Sequence, residues 1–217
     1  EDSAAPRQTP TEARILGSLV EKAATTPDVY PLTLNNVVLA CNQKTAREPT
    51  MNLMPGDVGH ALRQMEVRGL VKSEYGARSE RYFHRIDKVL DLTPAQTCLV
   101  SLLMLRGPQT AGEIRTRAGR IHEFGSVADV ESALQFLIDK YPPLVARLAL
   151  APGTKEPRYG QLLGGEAALA REESAFGNVA TPAQGSRVAQ LEQEVAALRG
   201  EVDDLKAQFD FFKRQFE

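Results

Sequence analysis

One order of local signals occurs twice in this chain, and a duplicated order leaves few folds open. In the first half, Ala13, Ile15, Leu16, Leu19 and Val20 fall on one face at helical spacing, with Thr11 as the expected N-cap and Thr25-Thr26-Pro27 as the stop. Pro31 bounds a short turn, and Thr33 then caps a second helix that carries Leu34, Val37, Val38 and Cys41 inward. A polar stretch over residues 41–53, CNQKTAREPTMNL, separates it from a third helix opened by Pro55, Gly56 and Asp57. Val58, Ala61, Leu62 and Met65 form the buried stripe of that helix, and Gly69 ends it at the C′ position. Residues 70–75 and 81–86 are β-prone runs around Gly76-Ala77-Arg78-Ser79, a hairpin signal.

The second half repeats this order. Thr93-Pro94 opens a helix with Cys98, Leu99, Leu102, Leu103 and Leu105 apolar, and Gly107-Pro108 stops it. Thr110 caps a short helix holding Ile114 and Ala118. After the Gly125-Ser126 break a third helix carries Val127, Val130, Leu134, Leu137 and Ile138 on one side. Residues 144–148 and 158–163 are the strands of a second hairpin, turned at Ala151-Pro152-Gly153. Leu70-Val71 answers to Leu144-Val145, and Arg81-Tyr82 to Arg158-Tyr159. Three helices and a hairpin in this order describe a winged helix-turn-helix. The expected fold is α+β, mostly α. Two tandem winged helix-turn-helix domains occupy residues 11–90 and 91–163, after a flexible lead-in over 1–10.

A linker rich in Gly, Ala, Glu and Ser is expected over residues 164–185. Beyond it Val188, Leu191, Val195, Leu198, Val202, Leu205, Phe209, Phe212 and Phe216 alternate three and four apart, an a and d heptad series. A lone helix of this kind leaves its seam in water. Residues 186–217 therefore form a coiled-coil helix that either pairs with another copy, making a homo-oligomer, or folds back on the domains.

With 217 residues, 42% hydrophobic and 25% charged, the chain has apolar material for one large domain or two small ones. Its net charge of -2 supplies no global field for nucleic acid or an anionic membrane, so any such binding is local. The longest uncharged apolar stretch, residues 98–105, is far short of the roughly 20 residues that a membrane helix needs, and no membrane partner is expected. The first ten residues lack the pattern of a secretory signal. Cys41 and Cys98 lie far apart with no CxxC pair and read as reduced core residues of a cytoplasmic protein.

Catalytic signatures are absent. The chain has no Walker-type loop, no GxGxxG and no GxSxG. His122-Glu123 invites comparison with a zinc-protease helix, but Ser126 stands where the second His is needed. His60, His84 and His122 fall on different elements. No enzyme activity, catalytic residue, metal or cofactor is expected.

Double-stranded DNA is the partner that the residues suggest. Turning Val58, Leu62 and Met65 inward leaves His60, Arg63, Gln64, Val67 and Arg68 on the outer face of the third helix. Arg and Gln can bond guanine and adenine edges bidentately in a major groove. Lys72, Arg78, Arg81 and Arg85 on the hairpin, and Lys44 and Arg47 in the polar stretch, are candidate phosphate contacts. The competing reading is an ordinary solvated face, since residues 56–90 hold seven Lys or Arg against five acids. In the second half the third helix presents Asp129, Glu131, Ser132, Gln135 and Asp139 outward, a face that a phosphate backbone repels. That face suits a protein partner.

The run EKAATTPDVYPLTLNNVVLACNQKTAREPTMNL resembles the hallmark of the bacterial YceH family of uncharacterised tandem winged-helix proteins. LVSLLMLRGPQTAGEIRTRAGRIHEF and PLVARLALAPGTKEPRY resemble the same family, so the likeness covers residues 11–163. It implies two winged-helix domains in the bacterial cytoplasm and no catalytic residues. Winged helices also serve as protein-interaction modules, as in the condensin-associated B subunits of bacteria, so fold does not settle function. Two functions remain open at this point. One is a DNA-binding, transcription-regulatory protein; the other is an interaction or scaffold protein that self-associates through its C-terminal helix.

Overall fold

The computed structural model describes residues 7–76, 79–150, 156–166, 168–170 and 172. The first helix, α1 (Pro10–Thr25), starts earlier than Thr11 allows. Thr9 is the N-cap: its hydroxyl accepts from the Glu12 N–H, and the Glu12 carboxylate accepts from the Thr9 N–H. This reciprocal pair satisfies two of the free donors at the helix start, and a cap of this type contributes about 1 kcal/mol. Gln8 is buried and its N–H donates to Leu163 O at 2.8 Å. Residues 8–10 therefore belong to the fold and not to a lead-in.

A single 3-10 turn, Pro27–Val29, leads to a short strand, β1 (Leu32–Thr33), and Thr33 then caps α2 (Leu34–Cys41). α3 (Pro55–Val67) follows the polar stretch. It ends as its glycine requires: Gly69 has φ 72°, its N–H donates to Glu66 O, and Leu70 N–H donates to Met65 O. This pair of bonds satisfies two terminal carbonyls and aims the chain into the sheet. β2 (Val71–Tyr75) pairs antiparallel with β3 (Glu80–His84), Val71 opposite His84 and Tyr75 opposite Glu80. β1 lies on the other edge of β3, giving the order β1-β3-β2. The sequence reading had missed β1, because two residues carry no period. The short α4 (Ile86–Val89) then connects to the second half.

That half comprises α5 (Pro94–Arg106), α6 (Ala111–Ala118), α7 (Val127–Asp139), β4 (Val145–Arg147) and β5 (Tyr159–Gln161). β4 and β5 pair antiparallel, and Gln109, just before the Thr110 cap of α6, bridges to Tyr159 of β5. The bridge occupies the place that β1 holds before α2. One side-chain contact is duplicated as well. Arg81 Nη1 donates to Pro31 O at 2.9 Å and Arg158 Nη1 donates to Pro108 O at 2.7 Å, each carbonyl two residues ahead of a helix-capping Thr. The architecture is α+β, with helices packed around two small antiparallel sheets.

The halves share a core instead of forming separate bodies at residue 90. α1 is buried continuously from Glu12 to Val20 and α5 from Thr97 to Leu105, so both helices are covered around their whole circumference. The two pack together where Gly17 faces α5. A Cβ on Gly17 would stand 2.8 Å from Leu105 Cγ and 3.1 Å from Ser101 O, so only glycine admits this approach. Buried residues from both halves, Leu16 and Leu62 in the first and Leu103 and Leu134 in the second, belong to one apolar cluster. The expected linker also begins later than residue 164. Leu169 is buried over Gly160, and Gly164 N–H donates to the Gln161 side chain at 3.3 Å. The heptad positions Val188 to Phe216 lie outside the described residues.

Candidate nucleic-acid interface

The polar stretch over residues 41–53 is an architectural clamp. Asn42 Nδ2 donates to Leu53 O at 2.9 Å and Asn42 Oδ1 accepts from Leu53 N–H at 2.8 Å, so one amide pins both ends of the excursion. Beneath it, Arg14 of α1 donates from Nη1 to Cys41 O at 3.2 Å and from Nη2 to Pro49 O at 2.5 Å. Glu48 N–H donates to Leu105 O at 2.9 Å, which ties the excursion to α5. α3 is therefore delivered by a braced segment, not a free loop.

Arg47 is the main correction to the candidate set. It is buried at 3% exposure and bonds Glu21 bidentately, Nη1 to Oε1 at 3.1 Å and Nη2 to Oε2 at 2.5 Å. Its Nε donates to Ala40 O and its Nη2 also to Gln43 Oε1. A guanidinium so enclosed cannot reach a phosphate; the carboxylate of Glu21 and the free carbonyls at the end of α2 draw it inward. Lys44, in contrast, is exposed.

On α3 the burial pattern separates two faces. Val58, Ala61, Leu62 and Met65 are buried, while His60, Arg63, Gln64 and Val67 are exposed, Val67 by 86%. Among the described residues, the side chains of Arg63 and Gln64 make no hydrogen bond or ion pair. Of the two acids on α3, Asp57 is exposed in the first turn and Glu66 is occupied: its Oε1 accepts from Ser73 N–H at 2.9 Å and from Ser73 Oγ at 2.7 Å. Arg68 leaves the set. It is half-buried, pairs with Glu12, and donates to Arg7 O and Gln64 O.

On the hairpin, Lys72 is exposed, 4.0 Å from Glu74 and 5.9 Å from the Phe83 ring centroid. Arg81 is committed to Pro31 O in the duplicated contact and is a poor phosphate ligand. Arg78 lies outside the described residues. The structure thus brings His60, Arg63 and Gln64 together on one helix face, leaves Lys44 and Lys72 exposed on neighbouring elements, and withdraws Arg47, Arg68 and Arg81 into structural roles.

Burial pushes the Cys41 thiol up to about 11 and the Cys98 thiol up to about 12, so neither is a thiolate near neutral pH. Among the described residues no three His, Cys, Asp or Glu side chains are grouped to hold a metal ion. No helix among them is long and apolar enough to cross a membrane.

On α7, Asp129, Glu131, Ser132, Gln135 and Asp139 are all exposed, as the sequence reading expects. Val127 is not inward; it is 39% exposed beside the N-cap. The sequence reading missed Phe136, which is 70% exposed and out of phase with buried Val130, Leu134 and Leu137. An apolar residue at the wrong helical phase was the available signal.

The family model described as a protein of unknown function, DUF480, matches residues 8–154. The chain belongs to this family. The match begins at Gln8, the residue that the structure ties to Leu163, and spans the clamp and both third helices. Relatives described as UPF0502 proteins extend the likeness. One from Pseudomonas fluorescens (strain Pf0-1) is 46% identical, covering 88% of this chain and 90% of its own. One from Stenotrophomonas maltophilia (strain K279a) is 49% identical over 85% of this chain and 88% of its own. One from Pseudomonas paraeruginosa (strain DSM 24068 / PA7) is 52% identical over 77% and 75%. The family resemblance read from CNQKTAREPTMNL and its flanks is thereby established.

Proposed function

We propose that this chain is a non-enzymatic DNA-binding protein of the bacterial cytoplasm, built from two winged helix-turn-helix units, in which α3 reads a major groove. The observation that carries the proposal is the outward face of α3. His60, Arg63 and Gln64 project from a helix whose opposite face is locked into the core. Side chains that are exposed, unpaired and rigidly mounted have little to lose on contacting base edges. Lys44 and Lys72 flank the helix and supply the phosphate contacts that fix its register.

The order α1, β1, α2, α3, β2, β3, with β1 on the far edge of β3, supports the winged-helix reading. Self-association through the heptads of residues 186–217 is part of the same proposal. It gives two copies of α3 to one duplex, and sedimentation with and without those residues tests it. A chain lacking them should sediment as a monomer.

Binding is tested by fluorescence anisotropy on a duplex that the wild-type chain selects from a random-sequence pool. Arg63→Ala and Gln64→Ala should each weaken binding by about tenfold or more, the worth of one bidentate contact. Wild-type affinity in both variants would sink the assignment of α3.

A further inference from the structure

Phe136 sits beside an open groove of about 480 Å3 lined by Asp91, Leu92, Thr93, Gln96, Asp139 and Lys140. The groove runs between the end of α7 and the segment that enters α5. Its two carboxylates outnumber its one cation. Lys140 is the sole cation of this lining, and its Nζ donates to the backbone oxygen of Asp91 at 3.1 Å, which leaves the carboxylates of Asp91 and Asp139 without a cationic partner among the described residues. Among the described residues, Asp139 Oδ1 accepts only from Gln135 Nε2, at 2.8 Å. Asp129, seven residues before Phe136 and on the same helical face, adds an exposed carboxylate. An aromatic ring exposed by 70% is costly to leave in water, and the carboxylates near it repel a phosphate backbone.

We infer that this groove is a docking surface for a basic amphipathic segment of another protein. An apolar side chain of that segment seats against Phe136 and Leu92. Lys or Arg residues on either side of it pair with Asp139 and Asp91. The charge pattern selects the partner: an acidic segment meets like charge, and a neutral apolar one leaves the carboxylates desolvated and unpaired. The volume suits one or two large side chains, so a short anchor motif fits and a broad flat interface does not. No residue of α3 takes part, and the docking site stands independently of the DNA reading.

The test uses the full chain and three synthetic helical peptides of about 15 residues, one of Lys and Leu in amphipathic order, one of Lys and Ser, and one of Glu and Leu. The Lys–Leu peptide should bind, with amide shift changes in 15N NMR centred on the end of α7 and residues 91–96. Phe136→Ser and Asp139→Lys should each weaken it by about tenfold or more while duplex DNA affinity stays at the wild-type value. The two side chains are exposed, and circular dichroism should show both variants folded. Equal binding of the Lys–Ser peptide would reduce the effect to bulk charge and overturn the proposal. So would equal binding of the Glu–Leu peptide, shift changes centred elsewhere, or unchanged affinity in Phe136→Ser.

Discussion

At the scale of single residues, the position of a charge in the sequence says little about where its side chain goes. Lys44 and Arg47 stand three apart in the same polar stretch, yet one is in solvent and the other is among the most buried charges described. The difference is the partner: Glu21 waits at the far end of α1 and has no nearer cation. Removing Arg47 leaves that carboxylate in a site where its side chain is only 15% exposed. Arg47→Ala should lower stability by about 3–5 kcal/mol, read from urea unfolding, the cost of breaking a buried pair from one side. A loss comparable to that of exposed Lys44→Ala would show that the pair is not enclosed.

His84 gives a pH-dependent counterpart. Burial lowers its pKa from the ordinary 6.5, against a smaller opposing pull from Asp87. The unfolded chain therefore takes up a proton as pH falls through 6.5 while the folded one resists, so folding weakens below that pH. His84→Gln should flatten the fall in urea midpoint on acidifying from neutral pH, relative to the wild-type chain.

At the scale of elements, the helices were legible because their signals are local. The stripes of α2 and α3, the Gly69 stop and the Thr33, Thr93 and Thr110 caps all sit within a few residues of what they control. The start of α1 was misread for an instructive reason. Thr9 and Glu12 already have the spacing of a reciprocal cap, but the nearness of Thr11 to the apolar run drew the boundary inward. What stayed hidden is non-local. β1 exists only because β3 comes to it across 50 residues of chain, and Arg81 looked free because Pro31 O is equally remote.

Gly17 belongs with these. In sequence it is a weak point in a helix, where alanine would gain about 1 kcal/mol of propensity. In the fold its missing Cβ lets α1 meet α5, and Ser101 O, a backbone atom, cannot step aside. Gly17→Ala should therefore destabilise, by about 1–3 kcal/mol, and Gly17→Val by more. Stabilisation by Gly17→Ala in urea unfolding would contradict this account of the α1–α5 contact.

At the scale of the molecule, the duplication diverged in its surfaces while keeping its frame. Arg81 and Arg158 make the same contact, and Thr33 and Thr110 cap equivalent helices, yet the outer face of α3 carries Arg63 and Gln64 where that of α7 carries Glu131, Phe136 and Asp139. On the proposed reading, one half meets a polyanion and the other a basic protein. Because α1 and α5 share one core, the halves should melt in a single transition, with calorimetric and van't Hoff enthalpies equal. Two separated transitions would mean that the shared core does not couple them.

The central claim is that α3 and its flanking lysines meet the phosphates and bases of duplex DNA, and the most direct measurement is the salt dependence of duplex affinity. Two lysine contacts per copy predict a slope of log K against log salt of roughly -2, and Lys44→Ala with Lys72→Ala should bring it close to zero. A flat slope, or no binding at low salt, would contradict the account.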